Sequence, residues 1–223
     1  MKRTPVRRSR SARASRTGQR IGVFGGSFDP PHHGHLALAE WARLELSLDQ
    51  VVFVPAGTPP HKAAAGLSAV HHRVAMTRLA VRGNPAFTVS TIEARRGGPS
   101  YTADTVRTLA AVWPDVRLHL IMGTDMFATF DRWREPGDIA ARAVLVVAGR
   151  PGSRRRVLSR EAKRGLGVVW LSNPGLEVSS SALRERAAAG RSSRYLVPQA
   201  VERYITRHQL YVDPQRKPPR RSG

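Results

Sequence analysis

Residues Gly25–His35 read GGSFDPPHHGH, which sets three histidines just after two glycines and two prolines. Without side chains, Gly25 and Gly26 let backbone N–H groups come close to a ligand, and Ser27 and Phe28 continue that backbone edge. A helix starting near Gly34 would turn its positive dipole end to the same place, so an anion suits it. His32 and His35, three apart at a helix entrance, can both point into one pocket. As imidazolium or as neutral N–H donors they could hold phosphate oxygens, and hold them harder as charge grows in a transition state. The stretch is neither a Walker loop, because no Gly-Lys-Ser/Thr follows at the right spacing, nor a GxGxxG fingerprint. A metal site would need a third ligand at plausible spacing, and HExxH is absent, so no metal ligand is assigned. Two histidines framing a glycine at a strand-to-helix turn favour phosphate handling over ordinary loop residues.

Other positions carry chemistry less specifically. In EVSSSALRER, Ser180 and Ser181 open a helix and Arg184 follows in its first turn. Hydroxyls, free N–H groups and a guanidinium fork there suit phosphate, although such serines also serve as plain caps. His61 and Lys62 follow a proline-stiffened loop and offer donors and positive charge; the alternative is a solvated basic loop. Thr102, after Tyr101 at another helix start, sits among backbone donors able to hold a carboxylate, or is a cap. Trp133 could stack on a flat heterocycle or simply pack. Asp125, just past Gly123 at a strand end, could accept from ribose hydroxyls or cap a helix.

The elements that must position these residues alternate. Apolar runs RIGVF, VVFVP, FTVS, VRLHLIMG, AVLVVAG and GVVWL are separated by helical patterns such as GHLALAEWARLELSL and YTADTVRTLAAVW. This predicts a Rossmann-like, doubly wound α/β fold with a mostly parallel sheet and helices on both faces. Ligands in such sheets bind beyond the carboxyl ends of the strands, where strand order reverses, and the histidine stretch follows the first strand. The helix after His35 is apolar almost all round and is expected to be largely buried. The last helices are expected from about Ser180 and from about Pro198 to His208.

Composition narrows the class. The 223 residues include no cysteine, which excludes disulfide scaffolds, thiolate metal sites and cysteine nucleophiles, and fits a cytoplasmic protein. No apolar run approaches the roughly 18 residues of a membrane span. The net charge of +21 is uneven: residues 1–20 hold eight Lys/Arg and residues 216–223 four more, with no acid in either. The expected organisation is therefore a basic disordered tail over 1–20, one domain over 21–212 and a second basic tail over 213–223, the tails suited to nonspecific nucleic-acid contact. No RNA-reading module or basic–aromatic interleaving favours a nucleic-acid-binding protein as the main function.

His32-His33-Gly34-His35 resembles the HxGH signature of the nucleotidylyltransferase superfamily, shared with class I aminoacyl-tRNA synthetases. Val178–Arg184 resembles its second ATP-phosphate motif, Ile-Ser-Ser-Thr-x-x-Arg, with Val for Ile and Ser181 for Thr, while the synthetases' Lys-Met-Ser-Lys-Ser is absent. VPAGTPPHK (Val54–Lys62), PSYTADTVRTL (Pro99–Leu109), IMGTDMFATFDRWREP (Ile121–Pro136) and HQLY (His208–Tyr211) resemble one family in particular, bacterial nicotinate-nucleotide adenylyltransferase, over about residues 21–212. The resemblance implies adenylyl transfer from ATP to nicotinate mononucleotide, giving deamido-NAD and pyrophosphate in NAD biosynthesis. It also implies ATP contacts at Gly25, Gly26, Ser27, Phe28, His35, Ser180, Ser181 and Arg184, with His32 and His35 catalytic. Acceptor contacts are implied at His61, Lys62, Tyr101, Thr102, Gly123, Asp125 and Trp133, and Mg²⁺ is expected to accompany ATP through phosphate oxygens and water. A related enzyme using the amide nucleotide or phosphopantetheine is the nearest alternative.

Overall fold

The computed structural model describes residues 18–58, 66–149, 167–172 and 175–212. Its strands are β1 (Arg20–Gly26), β2 (Gln50–Pro55), β3 (Phe87–Val89), β4 (Arg117–Gly123), β5 (Ala143–Ala148) and β6 (Val168–Leu171). Each falls on an apolar run anticipated from the sequence, and all pair in parallel in the order β3-β2-β1-β4-β5-β6.

Period-two alternation explains why these runs are apolar throughout. Ile21, Val23, Leu118, Leu120, Leu145 and Val147 face one core with Val106 and Leu109. Phe24, Ile121 and Val146 face another with Ala39 and Ala42. The helices are α1 (His33–Glu45), α2 (Val70–Val81), α3 (Thr102–Val112), α4 (Thr124–Phe127), α5 (Pro136–Arg142), α6 (Ser180–Ala188) and α7 (Gln199–Arg207). A third cluster, with Met76 and Ala80 of α2, Leu183 of α6 and Val201 of α7, fastens the C-terminal helices to the body.

One expectation is corrected. In α1 only Ala39 and Ala42 are buried, while Trp41 and Leu44 are 40% and 63% exposed. A single helix layer covers each face of an open sheet, so the outer side of α1 meets water whatever its composition. The segment from Thr124 to Arg142 is also more broken than a strand-and-motif reading suggests, forming α4, a 3-10 turn at Phe130–Arg132 and α5. Such short helices are held by tertiary packing and leave little periodic signal. Ahead of β1, the Gly18 N–H donates to the Asp115 carbonyl at 3.0 Å, so the fold takes in residues before Ile21.

β1 and β4 are adjacent, and the chain moves outward from them in opposite directions. That is the switch point, where loops leaving the two strands diverge and open a crevice.

Candidate active site

At the end of β1 the chain makes a tight turn before α1. Phe28 takes a left-handed conformation, φ 49°, and is buried by edge and tilted contacts with Phe24 and Phe53 at 5.5 and 5.6 Å. A non-glycine residue in that region costs energy and persists only where packing fixes it.

His32 then caps α1. Its Nδ1 accepts the His35 N–H at 3.3 Å, and the Nδ1 of His35 accepts the His32 N–H at 3.2 Å, a reciprocal box built from two imidazoles. The rings stack 3.6 Å apart at 27°. Gly34 between them keeps the packing close, since a Cβ there would lie 3.0 Å from His32 Nδ1 and 3.4 Å from the Leu176 carbonyl, and the imidazole would have to give by a few tenths of an ångström. Burial, helped by repulsion from His33, lowers the His32 imidazole to about 4. Burial and then His32 hold His35 well below the usual range. Both shifts favour neutral rings near pH 7. With each Nδ1 accepting, the remaining proton sits on Nε2, so each ring keeps one N–H to donate. His33 is exposed, and its backbone N–H donates to the Leu196 carbonyl at 3.0 Å.

The second phosphate-type segment lies against this turn. Ser179, not Ser180, caps α6, accepting the Ala182 N–H at 3.2 Å. Ser180 Oγ donates to the Pro30 carbonyl at 2.9 Å, and Arg184 donates to the Asp29 carbonyl at 2.9 Å and to Ser181 Oγ at 3.3 Å. Ser181 remains exposed at the opening turn of the helix. Segments 150 positions apart in sequence are thus joined by direct hydrogen bonds.

At the end of β4, Gly123 is the N-cap of α4 and Asp125 is exposed on its first turn. Asp125 is therefore not the cap. Tyr101 caps α3 without a side-chain bond, Thr102 is its first residue, and the Arg134 guanidinium lies 4.9 Å over the Tyr101 ring. Trp133 is half-buried, its ring centroid 5.4 Å from that of Phe130 with the planes tilted at 56°. Arg107 ties this rim together, pairing with Asp104 at 3.2 Å, Asp138 at 2.9 Å and Glu135. The structure therefore brings Tyr101, Thr102 and the Trp133 segment together. His61 and Lys62 lie outside the described residues.

Three buried ionisable residues that the sequence reading passed over hold the loops in place. Arg73 is 2% exposed and donates to the carbonyls of Ser27, Ala56, Gly57 and Ser68, between 2.5 and 3.1 Å. Glu93 is buried, which raises its carboxyl, and accepts from Thr105 Oγ1 at 2.7 Å. Asp29 is fully buried beneath the histidine turn. The available signal for Arg73 was a lone charge on the apolar face of a helix, alongside Met76, Thr77 and Ala80. Asp29 stood inside the histidine stretch but offered no pattern of its own.

An all-parallel sheet with a histidine-capped helix and a Ser/Arg helix joined at its switch point defines a nucleotide-handling α/β protein. A family described as cytidylyltransferase-like matches residues 23–186. A protein of Thermomicrobium roseum is 43% identical over 195 residues, covering 86% of this chain and 91% of its own length, and one of Salinibacter ruber is 45% identical over 191 residues, covering 86% and 97%. Both bear the name "Probable nicotinate-nucleotide adenylyltransferase". The structure of Plasmodium falciparum nicotinic acid mononucleotide adenylyltransferase complexed with NaAD shares the fold at TM-score 0.71 and 18% identity, over 86% of this chain and 97% of that one. The chain belongs to the nicotinate-nucleotide adenylyltransferase family.

Among the described residues no helix is long and apolar enough to cross a membrane.

Proposed function

We propose that the chain joins ATP to nicotinate mononucleotide, forming deamido-NAD and releasing pyrophosphate, as a step of NAD biosynthesis in the cytoplasm. The single observation that carries the mechanism is the pair of stacked imidazoles that cap each other's backbone N–H through Nδ1, beside a helix that presents Ser181 and Arg184.

The 5′-phosphate of the acceptor is already anionic near neutrality and attacks the α-phosphorus of ATP in line. One phosphorus–oxygen bond forms as the bond to the pyrophosphate oxygen breaks. No base needs to remove a proton, so the protein's tasks are alignment and stabilisation of growing negative charge. Backbone groups from Gly25 to Phe28 approach the ATP phosphates. His32 and His35 donate to oxygens of the α- and β-phosphates. Ser180 through its backbone N–H, Ser181, Arg184 and the other opening N–H groups of α6 hold the leaving pyrophosphate, Arg184 turning toward it the amino group that now meets Ser181 while the other keeps the Asp29 carbonyl. Mg²⁺ enters with ATP as part of that substrate.

On the acceptor side, the free N–H groups at Thr102 receive the ring carboxylate, the open side of Trp133 stacks on the pyridine, and Gly123 and Asp125 meet the nucleotide's sugar. Tyr101 borders the ring, and His61 and Lys62 add positive charge to its phosphate. The basic tails add nonspecific attraction for nucleic acid.

The test is pyrophosphate release from MgATP with nicotinate mononucleotide, its amide counterpart or phosphopantetheine as acceptor, with the product identified by mass. Strong preference for the nicotinate form is the expected result. Turnover with another acceptor alone would remove the assigned roles of Thr102 and Trp133.

A further inference from the structure

Asp29 answers to three separate parts of the chain. Its carboxylate accepts the Ser68 N–H, just before α2, at 3.0 Å and the Tyr211 O–H at 2.5 Å, while its carbonyl accepts Arg184 at 2.9 Å. Tyr211 lies beyond α7, at φ 64°, with its ring against the cluster of Met76, Leu183 and Val201. From below, Arg73 holds the same turn through the Ser27 carbonyl, and Asp29 acts on it as an opposite charge. The Tyr211 hydroxyl is pushed far up by burial and by its bond to Asp29, so it stays a donor throughout the working range.

The turn so held contains the left-handed Phe28 and leads directly into His32, and it is also the platform on which Arg184 and Ser180 dock. A strained turn keeps its shape only when its surroundings over-determine it. Here the contacts that do so include those of Ser68, Arg73 and Tyr211, none of which reaches the phosphate groups in the mechanism above. We propose that Tyr211 is a positioning residue for adenylyl transfer: through Asp29 it fixes the turn that carries His32 and His35 against α6. The proposal rests on the reading of the reaction given above. It predicts an effect on the chemical step, because donors displaced by a fraction of an ångström still bind substrate but match the transition state poorly.

The experiment compares Tyr211→Phe with Tyr204→Phe in the full chain. Tyr204 is the control because it packs in the same cluster but bonds to His72 Nδ1, at 2.9 Å, rather than to the turn. With saturating MgATP and nicotinate mononucleotide, Tyr211→Phe is expected to lower kcat about tenfold with both KM values within about twofold. Tyr204→Phe should keep kcat at a comparable fall in Tm. Asp29→Asn should lower kcat as well, and adding it to Tyr211→Phe should cost much less than the product of the two. If Asp29→Asn does not fold, the tyrosine pair decides alone. Equal kcat for the two tyrosine variants, or a change in KM only, would overturn the proposal and reduce Tyr211 to a C-terminal staple. Absence of turnover in the unmodified chain would instead sink the reaction itself, and this inference with it.

Discussion

The two histidines define each other. Each imidazole accepts the other residue's backbone N–H, and the stack buries both, so protonating either would break a cap and place charge in a dry site. His35→Ala should lower kcat by about a hundredfold or more while nucleotide binding changes little, as for loss of an oxyanion donor. Turnover within about threefold of the parent would remove His35 from the transition state. The ring of His32 should show no titration by NMR from pH 8 down to about 5.5, because its folded value is lowered to about 4 from 6.5. The sign follows by linkage: above 6.5 both folded and unfolded chains hold this ring neutral, and as pH falls from 6.5 toward 4 only the unfolded chain gains the proton. His32 therefore withdraws stability over that window, on the order of a few kcal/mol. Urea unfolding at pH 7.5 and 5 should show the fall, and His32→Asn, which retains a cap acceptor, should reduce it.

Among the elements, α3 is the one whose entrance matters to the acceptor, and it is set by what lies beneath it. The loop after β2 is tied to the segment before α3 by the Ser100 N–H, which donates to the Thr58 carbonyl at 2.9 Å, and that segment is tied to α3 itself by the Thr105 hydroxyl on Glu93. Gly57 is enclosed by the Glu93 carbonyl and Ser100 Oγ, which leave no room for a Cβ. Thr105→Val keeps the shape and removes the donor, leaving a buried carboxyl short of a partner at a cost of about 1–3 kcal/mol. A fall in Tm of several degrees is expected, with KM for nicotinate mononucleotide rising and KM for ATP unchanged. Equal rises in both would mean that α3 does not frame the acceptor. α1 shows the reverse lesson: its position depends on one narrow face, Ala39 and Ala42, rather than on its apolar content.

On the scale of the whole molecule, the sheet order places β1 and β4 side by side and brings α6 back over the turn that leaves β1. The excess positive charge is distributed differently from the chemistry, since twelve basic residues lie in the terminal segments 1–20 and 216–223. Deletion of residues 1–17, which stops short of Gly18 and its bond to Asp115, should leave kcat and Tm unchanged and weaken retention on heparin or RNA. A loss of turnover would assign the segment to the reaction. The sequence by itself determined the strands, through apolar runs that period-two burial demands, and the histidine, serine and arginine candidates, because those side chains have to be present for phosphate chemistry. It determined the family as well, through motifs kept in order. Only the tertiary structure decided which partners those groups have: the mutual capping of the histidines, the docking of Arg184 and Ser180 on Asp29 and Pro30, and the support from Arg73, Glu93 and Tyr211. Burial and hydrogen bonding between residues far apart in sequence set these features, and local pattern carries no record of either.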